Sequence, residues 1–184
     1  MLRFQQGDRA AFDELVRRNT PRIHALIYRF LGDPGMVEDL TQEVFLRVFR
    51  TAERYRPTAK FSTWLYRIAA NLSFNVLRSR KKGVPVSLET LSGSAEQEHP
   101  RQAPDPGAPA PHDNMDSIEL RRQVARAIAD LPDNQRIAIV LNKYEDKSYD
   151  EIAEVMDCST MAVKSLLSRA RGNLRRQLRR YLKP

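Results

Sequence analysis

The sequence contains one cysteine, Cys158, and only three histidines. One cysteine cannot form an internal disulfide, and three dispersed histidines do not provide the ligands of a structural zinc site. We therefore predict a reducing, cytoplasmic compartment and no metal or other cofactor. Cys158 is interpreted as a small buried residue of a turn, and a redox sensor is the alternative.

Long apolar runs are also missing. No stretch approaches the roughly 20 residues of a membrane-spanning helix, and the N-terminal segment lacks the pattern of a signal peptide. The chain has no Gly-rich phosphate loop, no carboxylate cluster suited to two metals, and no His or Cys nucleophile pair. These absences predict a soluble protein and argue against an enzyme acting on nucleic acid.

Apolar residues recur at helical spacing, without the alternation typical of strands. The first half predicts two helices before the break at residues 32–35, a third over residues 36–55, and a fourth that begins near Ser62 or Thr63, either as N-cap, and ends near Arg80. The second half predicts four helices, over residues 117–129, 133–144, 148–156 and 160–182. The predicted fold class is therefore all-α.

Residues 83–116 differ in composition from the rest of the chain. They hold 6 of the 11 prolines and carry a net charge of −5. This composition predicts a flexible, extended acidic linker, either a passive tether or a segment with its own docking site. The expected organisation is a small helical domain over residues 1–82, the linker over 83–116, and a second helical domain over 117–184.

The net charge of +8 favours a polyanionic partner, and the excess is local. From Cys158 onwards there are eight basic residues and no acidic one. On a helix starting near residue 160, the apolar residues fall within about 60° of Val163. The opposite face carries the small residues Ser165, Ser168 and Gly172, flanked by cations. A helix that enters the major groove needs such a face, because its backbone must approach the base edges.

The segment before this helix strengthens that interpretation. Residues 148–156 predict a short helix, and residues 157–159 form a tight turn into the basic helix, which is helix-turn-helix spacing. The alternative is a helical hairpin with a solvated cationic face. A helix-turn-helix alone does not identify the process that it serves.

Three segments stand in order along the chain: "VEDLTQEVFLRVF", "KFSTWLYRIAANLSFNVLRSRKK" and "LPDNQRIAIVLNKYEDKSYDEIAEVMDCSTMAVKSLLSRAR". Together they resemble the extracytoplasmic-function (ECF) sigma factors of the bacterial sigma-70 family. The resemblance implies that sigma region 2 binds core RNA polymerase and melts the −10 element, and that sigma region 4 reads the −35 element. It also implies contacts with the β′ clamp helices and the β flap. A further expected partner is an anti-sigma factor, often membrane-anchored, that holds the cytoplasmic protein at the inner membrane.

The third predicted helix matches the family segment that docks on the β′ clamp helices. Its face opposite Val37 is expected to present an exposed leucine within an acidic rim, which suits a basic partner surface. An ordinary solvated face is the alternative. The predicted polymerase-binding residues are Asp39, Gln42, Glu43 and Leu46.

The fourth predicted helix and the loop before it resemble the part that melts the −10 element. Capturing unstacked bases requires aromatic faces, groups that hydrogen-bond base edges, and cations for the backbone. Trp64 is alternatively a core aromatic. Asn75 departs from the family, where an acidic residue is common. The predicted −10 residues are Lys60, Phe61, Ser62, Thr63, Trp64, Asn71 and Arg78.

The basic C-terminal helix resembles the one that reads the −35 element. Leu166 departs from the family pattern, in which arginine is frequent, and Met161 and Ala162 replace the usual residues at the helix start. A stand-alone helix-turn-helix regulator is the alternative function, but it leaves the polymerase-binding and −10 segments unexplained. The predicted −35 residues are Lys164, Ser165, Ser168, Arg169 and Arg171.

Overall fold

The computed structural model describes residues 1–58, 60–83, 115–179 and 181. Within these ranges the regular structure is helical and no strand occurs, so the all-α prediction is confirmed. None of the described helices is long and apolar enough to cross a membrane. The helices are α1 (Leu2–Gln5), α2 (Arg9–Leu31), α3 (Val37–Arg50), α4 (Phe61–Lys81), α5 (Met115–Ala129), α6 (Asp133–Tyr144), α7 (Tyr149–Met156) and α8 (Thr160–Gln177).

The first domain consists of α1 to α4. Helix α2 packs against α3 and α4, and α3 packs against α4. The apolar stripe predicted along α3 faces this core, since Val37, Leu40, Val44 and Val48 are all buried. Burying such a stripe gives a helix most of its stability, and here it fixes which face of α3 remains outside.

Helix α2 is one helix of 23 residues, so the prediction of two separate helices is wrong. Pro21 lies inside it and is exposed. Just before the proline, the Asn19 amide donates to the Leu15 carbonyl and the Thr20 hydroxyl donates to the Val16 carbonyl. Apolar residues on both sides of Pro21 join the same core. Tertiary packing therefore outweighs the cost of the proline.

Helix α4 begins at Phe61, with Lys60 as an N-cap that makes no side-chain capping bond. The predicted capping by Ser62 or Thr63 is wrong. Thr63 is buried in the packed interior, and the Ser62 hydroxyl accepts a hydrogen bond from Lys147. Both side chains therefore serve packing and long-range contacts, which local sequence patterns do not reveal.

The second domain consists of α5 to α8. Helix α8 packs against α5, α6 and α7. The turn between α7 and α8 is made by Asp157 in the left-handed conformation (φ 51°), and Ser159 caps α8 by accepting from the Ala162 N–H. The predicted tight turn is confirmed. Cys158 is half-buried there, and burial raises the pKa of its thiol, which disfavours a reactive thiolate.

The proposed division into residues 1–82, 83–116 and 117–184 stays a prediction, because residues 84–114 lie outside the described part. The two domains touch each other. Helix α4 contacts α7, and α2 contacts α5 and α6. The buried Arg136 guanidinium of α6 donates to the Phe30 carbonyl near the end of α2, at 2.8 Å.

A capping box starts α7. The Ser148 hydroxyl accepts from the Glu151 N–H, and the Glu151 carboxylate accepts from the Ser148 N–H at 3.0 Å. The Ser148 N–H, assisted by Lys60 and Lys147, lowers the pKa of Glu151 to about 2. The box fixes the start of the first helix of the helix-turn-helix.

Glu151→Gln is expected to lower the free energy of unfolding by about 0.5 kcal/mol at pH 7, because glutamine keeps the capping geometry but loses the charge. The pKa of Glu151 is lower in the folded state, so its contribution is present above the unfolded pKa of about 4.5 and is lost as the pH falls towards about 2. Urea unfolding of both proteins between pH 7 and pH 3 measures this. If the two proteins differ as much in their free energy of unfolding at pH 3 as at pH 7, the charge of Glu151 is not the cause of the difference.

Candidate nucleic-acid interface

Helix α8 has the two faces that the sequence predicted. Val163, Leu167 and Ala170 are fully buried. On the opposite face Ser165, Ser168 and Gly172 are exposed, and a Cβ added at Gly172 would meet nothing within 4 Å. The backbone of this face is therefore accessible to a surface as close as a groove of DNA.

The three cations of α8 that are predicted to contact the −35 element fall into two groups. Lys164 and Arg169 are exposed beside the small-residue face. Arg171 is also exposed, but its guanidinium lies 3.2 Å from the Tyr149 hydroxyl and 3.5 Å from the Asn142 amide oxygen. These contacts orient Arg171 along its own domain. This places it at the edge of the α8 face.

Three aromatic rings cluster at the start of α4. The Trp64 and Tyr55 centroids are 5.0 Å apart, and Phe61 lies 5.9 Å from Trp64 and 6.0 Å from Tyr55. Tyr55 is buried, whereas Phe61 and Trp64 are only partly so. Trp64 is thus neither a fully buried core aromatic nor a free one, and the cluster holds two partly open ring surfaces in place.

The remaining −10 residues are distributed unevenly. Asn71 and Arg78 are exposed on α4, and Lys60 is exposed in the preceding loop. Thr63 has a relative exposure of 1 %, and its hydroxyl finds no partner among the described residues. The expectation that the Thr63 side chain is presented to DNA is wrong for this arrangement, because the residue points into the packed interior.

Of the four predicted polymerase-binding residues on α3, three are exposed as expected and one is buried. Asp39 and Gln42 are exposed, and Leu46 is 48 % exposed, as predicted. Glu43 is only 4 % exposed and pairs with Arg47 at 2.8 Å, so its expected place in an open acidic rim is wrong. Glu43 lies on the flank of α3 next to the buried stripe, where Arg47 covers its carboxylate.

The comparisons with known proteins agree with this geometry. Residues 15–83 match the family Sigma-70 region 2, and residues 121–174 match Sigma-70, region 4. The ECF RNA polymerase sigma factor SigW of Bacillus subtilis is 34% identical over 95% of this chain and 92% of its own length. The ECF RNA polymerase sigma-E factor of Escherichia coli is 36% identical over 92% of this chain and 87% of its own. The chain is an ECF sigma factor of the sigma-70 family.

A solved structure shares the fold of this sigma factor. It is the sigma factor RpoE in complex with the anti-sigma factor NepR from Bartonella quintana, with a TM-score of 0.68 and 21% sequence identity. The match covers 92% of this chain and 97% of that chain. Both helical domains of the sigma factor are therefore of known architecture.

The structure adds two residues that the sequence reasoning missed. Phe49 is 54 % exposed one turn beyond Leu46, and it packs against Phe12 and Phe4 with centroids 5.4 Å away in each case. Phe49 follows Leu46 by three residues, so both side chains lie on the same face of α3, and this spacing could have identified Phe49 from the sequence. Tyr55 supports the aromatic cluster at the start of α4. The predicted third helix extended to residue 55, but α3 ends at Arg50 and Tyr55 follows a short 3₁₀ turn over Ala52–Arg54.

Proposed function

We propose that this sigma factor binds core RNA polymerase through α3 and directs it to promoters by contacting two DNA elements. The observation that carries the proposal is the exposed Leu46 beside Asp39 and Gln42 on a helix whose opposite face is buried. A protein that binds only DNA has no use for an exposed leucine beside an exposed carboxylate on such a face. Such a surface suits a basic protein partner like the β′ clamp helices.

The −10 element is assigned to α4 and the loop before it. Melting a duplex costs stacking energy, and partly open rings compensate by stacking on the exposed bases. Phe61 and Trp64 provide those rings, Asn71 provides an amide for a base edge, and Lys60 and Arg78 provide cations for the backbone. The protein performs no covalent chemistry, and binding energy alone opens the DNA.

The −35 element is assigned to α8. Ser165 and Ser168 let the helix backbone approach the base edges, while Arg169 is suited to guanine and Lys164 to phosphate. Arg171 is held at the edge by Tyr149 and is assigned to the DNA backbone. We further propose cytoplasmic action and control by an anti-sigma factor that anchors the protein at the inner membrane.

Selection from a random duplex library, with and without bacterial core polymerase, tests the proposal. With core, the selected DNA is expected to share two separated elements. Without core, enrichment is expected to be weak. A single operator selected equally well by the protein alone would favour the stand-alone helix-turn-helix regulator instead.

A further inference from the structure

The N-terminal end of α8 presents an apolar side chain to solvent. Met161 is 74 % exposed, more than any other large apolar residue in the part of the chain that the structure describes. A single exposed apolar residue is common on protein surfaces and needs no explanation by itself. The position of Met161 on the helix therefore decides whether its exposure has a function.

Met161 lies on the small-residue face of α8. Ser165, Ser168 and Gly172 follow it by four, seven and eleven positions, and at 100° per residue all four residues fall within about 60° of one another. All four are exposed, and the backbone of this face is accessible to a groove of DNA. Over residues 160–172, Met161 is the only long side chain along the centre of the face.

Local contacts fix the backbone from which Met161 projects. The Ser159 hydroxyl accepts a hydrogen bond from the Ala162 N–H at 3.2 Å, and the Thr160 hydroxyl donates to the Asp150 carboxylate of α7 at 2.9 Å. The first turn of α8 is therefore held on both sides of Met161. The side chain itself is unbranched and ends in a polarizable thioether, so it can adapt to a neighbouring surface.

The chemistry of methionine restricts what this side chain can recognise in DNA. It has no charge for a phosphate and no hydrogen-bond donor for a base edge. The N-terminal residues of a recognition helix contact base edges in the major groove. The apolar group that distinguishes a base there is the C5 methyl of thymine. A thymine methyl is therefore the group that suits Met161.

We propose that Met161 determines specificity at one position of the −35 element by packing on the C5 methyl of a thymine. The inference rests on the proposed function, in which α8 reads this element. Met161 lies eight residues before Arg169, which is about 12 Å along the helix axis. Neighbouring base pairs are about 3.4 Å apart, so Met161 and Arg169 contact different base pairs. The thymine preference is therefore separable from the contact assigned to Arg169.

The test uses the full-length protein with core polymerase and a promoter selected from the random library. Each thymine of its −35 element, on either strand, is replaced in turn by deoxyuridine, which lacks the C5 methyl and keeps the base pairing. The thymine and deoxyuridine templates compete in one reaction and yield transcripts of different lengths. The measured quantity is the ratio of the two transcripts for the wild type, Met161→Ala, Met161→Leu and the control Leu120→Ala.

The wild type is expected to favour thymine over deoxyuridine by about fourfold at one position, because one methyl group is buried there. Met161→Ala is expected to give a ratio near one at that position and to relax the preference for thymine there in library selection. Met161→Leu keeps an apolar side chain of similar volume, so a ratio of about twofold or more should remain. Leu120→Ala removes an exposed apolar residue of α5 and should behave like the wild type.

The comparison between variants separates a contact with Met161 from an effect of the methyl group on DNA shape. An effect on shape would be the same for the wild type and for Met161→Ala, whereas a contact disappears with the side chain. Because Met161 is exposed, the alanine variant is expected to fold, and circular dichroism checks this.

Promoter-specific transcription by the wild type, with the same thymine-to-deoxyuridine ratios in Met161→Ala at every position, would overturn the inference and leave the proposed function intact. A selected −35 element without thymine on either strand would do the same. So would an equal loss of transcription from both templates in Met161→Ala, which would indicate a contact with protein. No promoter-specific transcripts from the wild type would overturn the proposed function and this inference with it.

Discussion

Leu46→Asp is expected to weaken binding to core RNA polymerase by about 30-fold or more. Leu46 is a half-exposed apolar residue at the centre of the α3 face, and residues of that kind dominate the energy of protein interfaces. Aspartate would lose the apolar contact and bring an unpaired charge into the interface. Fluorescence anisotropy of a labelled sigma factor titrated with core polymerase gives the dissociation constant.

Leu120→Asp is the matched control for this prediction. Leu120 is 41 % exposed on α5, outside both predicted DNA-binding surfaces and the α3 face. Because both leucines are exposed, neither substitution should unfold the protein, and circular dichroism checks this. Equal loss of binding in the two variants would show that α3 has no special role.

Arg169→Ala is expected to reduce transcription from the preferred promoter by roughly 10- to 100-fold, through lost selectivity at one or two −35 positions. Arg169 is exposed beside the accessible small-residue face of α8, and a guanidinium there is within reach of a guanine edge. Truncating a bidentate base contact relaxes discrimination at that position, while truncating a phosphate contact weakens all sequences alike. Run-off transcription from a library randomised at the −35 element measures the selectivity directly.

The control for the α8 prediction is Arg122→Ala. Arg122 is an exposed cation on α5, so the substitution makes the same change in net charge away from the α8 face. It should lower transcription only slightly and evenly across the library. If Arg169→Ala also lowers transcription evenly and leaves the −35 preference unchanged, then Arg169 contacts phosphate and not a base.

Periodicity was sufficient for the all-α fold class and for the buried faces of α3 and α8, but it divided α2 into two helices and extended α3 beyond Arg50. The stripe that starts at Val37 is buried, and so is the stripe around Val163, because an amphipathic helix has only one way to bury its apolar face. The same reasoning placed Leu46 outside. It also predicted that Glu43 is exposed, and this prediction is wrong. Arg47 extends across the flank of α3 and covers the Glu43 carboxylate.

Contacts between distant segments could not be predicted. Glu145 joins Arg22 and Tyr66, which lie 123 and 79 positions away along the chain. Nothing in the residues around Glu145 shows that its carboxylate is buried. The start of α4 was missed for a related reason, since Ser62 is engaged by Lys147 from the other domain and does not cap its own helix. Local patterns predict local structure, whereas the contact between the two domains depends on pairs of residues that no local pattern specifies.

We infer that this sigma factor directs core RNA polymerase to promoters. Run-off transcription with bacterial core polymerase on a library of random upstream sequences tests it most directly. We expect transcripts that depend on the protein and that start a fixed distance downstream of two shared elements. Absence of stimulation on every template, from a folded protein that binds a duplex operator by itself, would contradict it and indicate a stand-alone regulator.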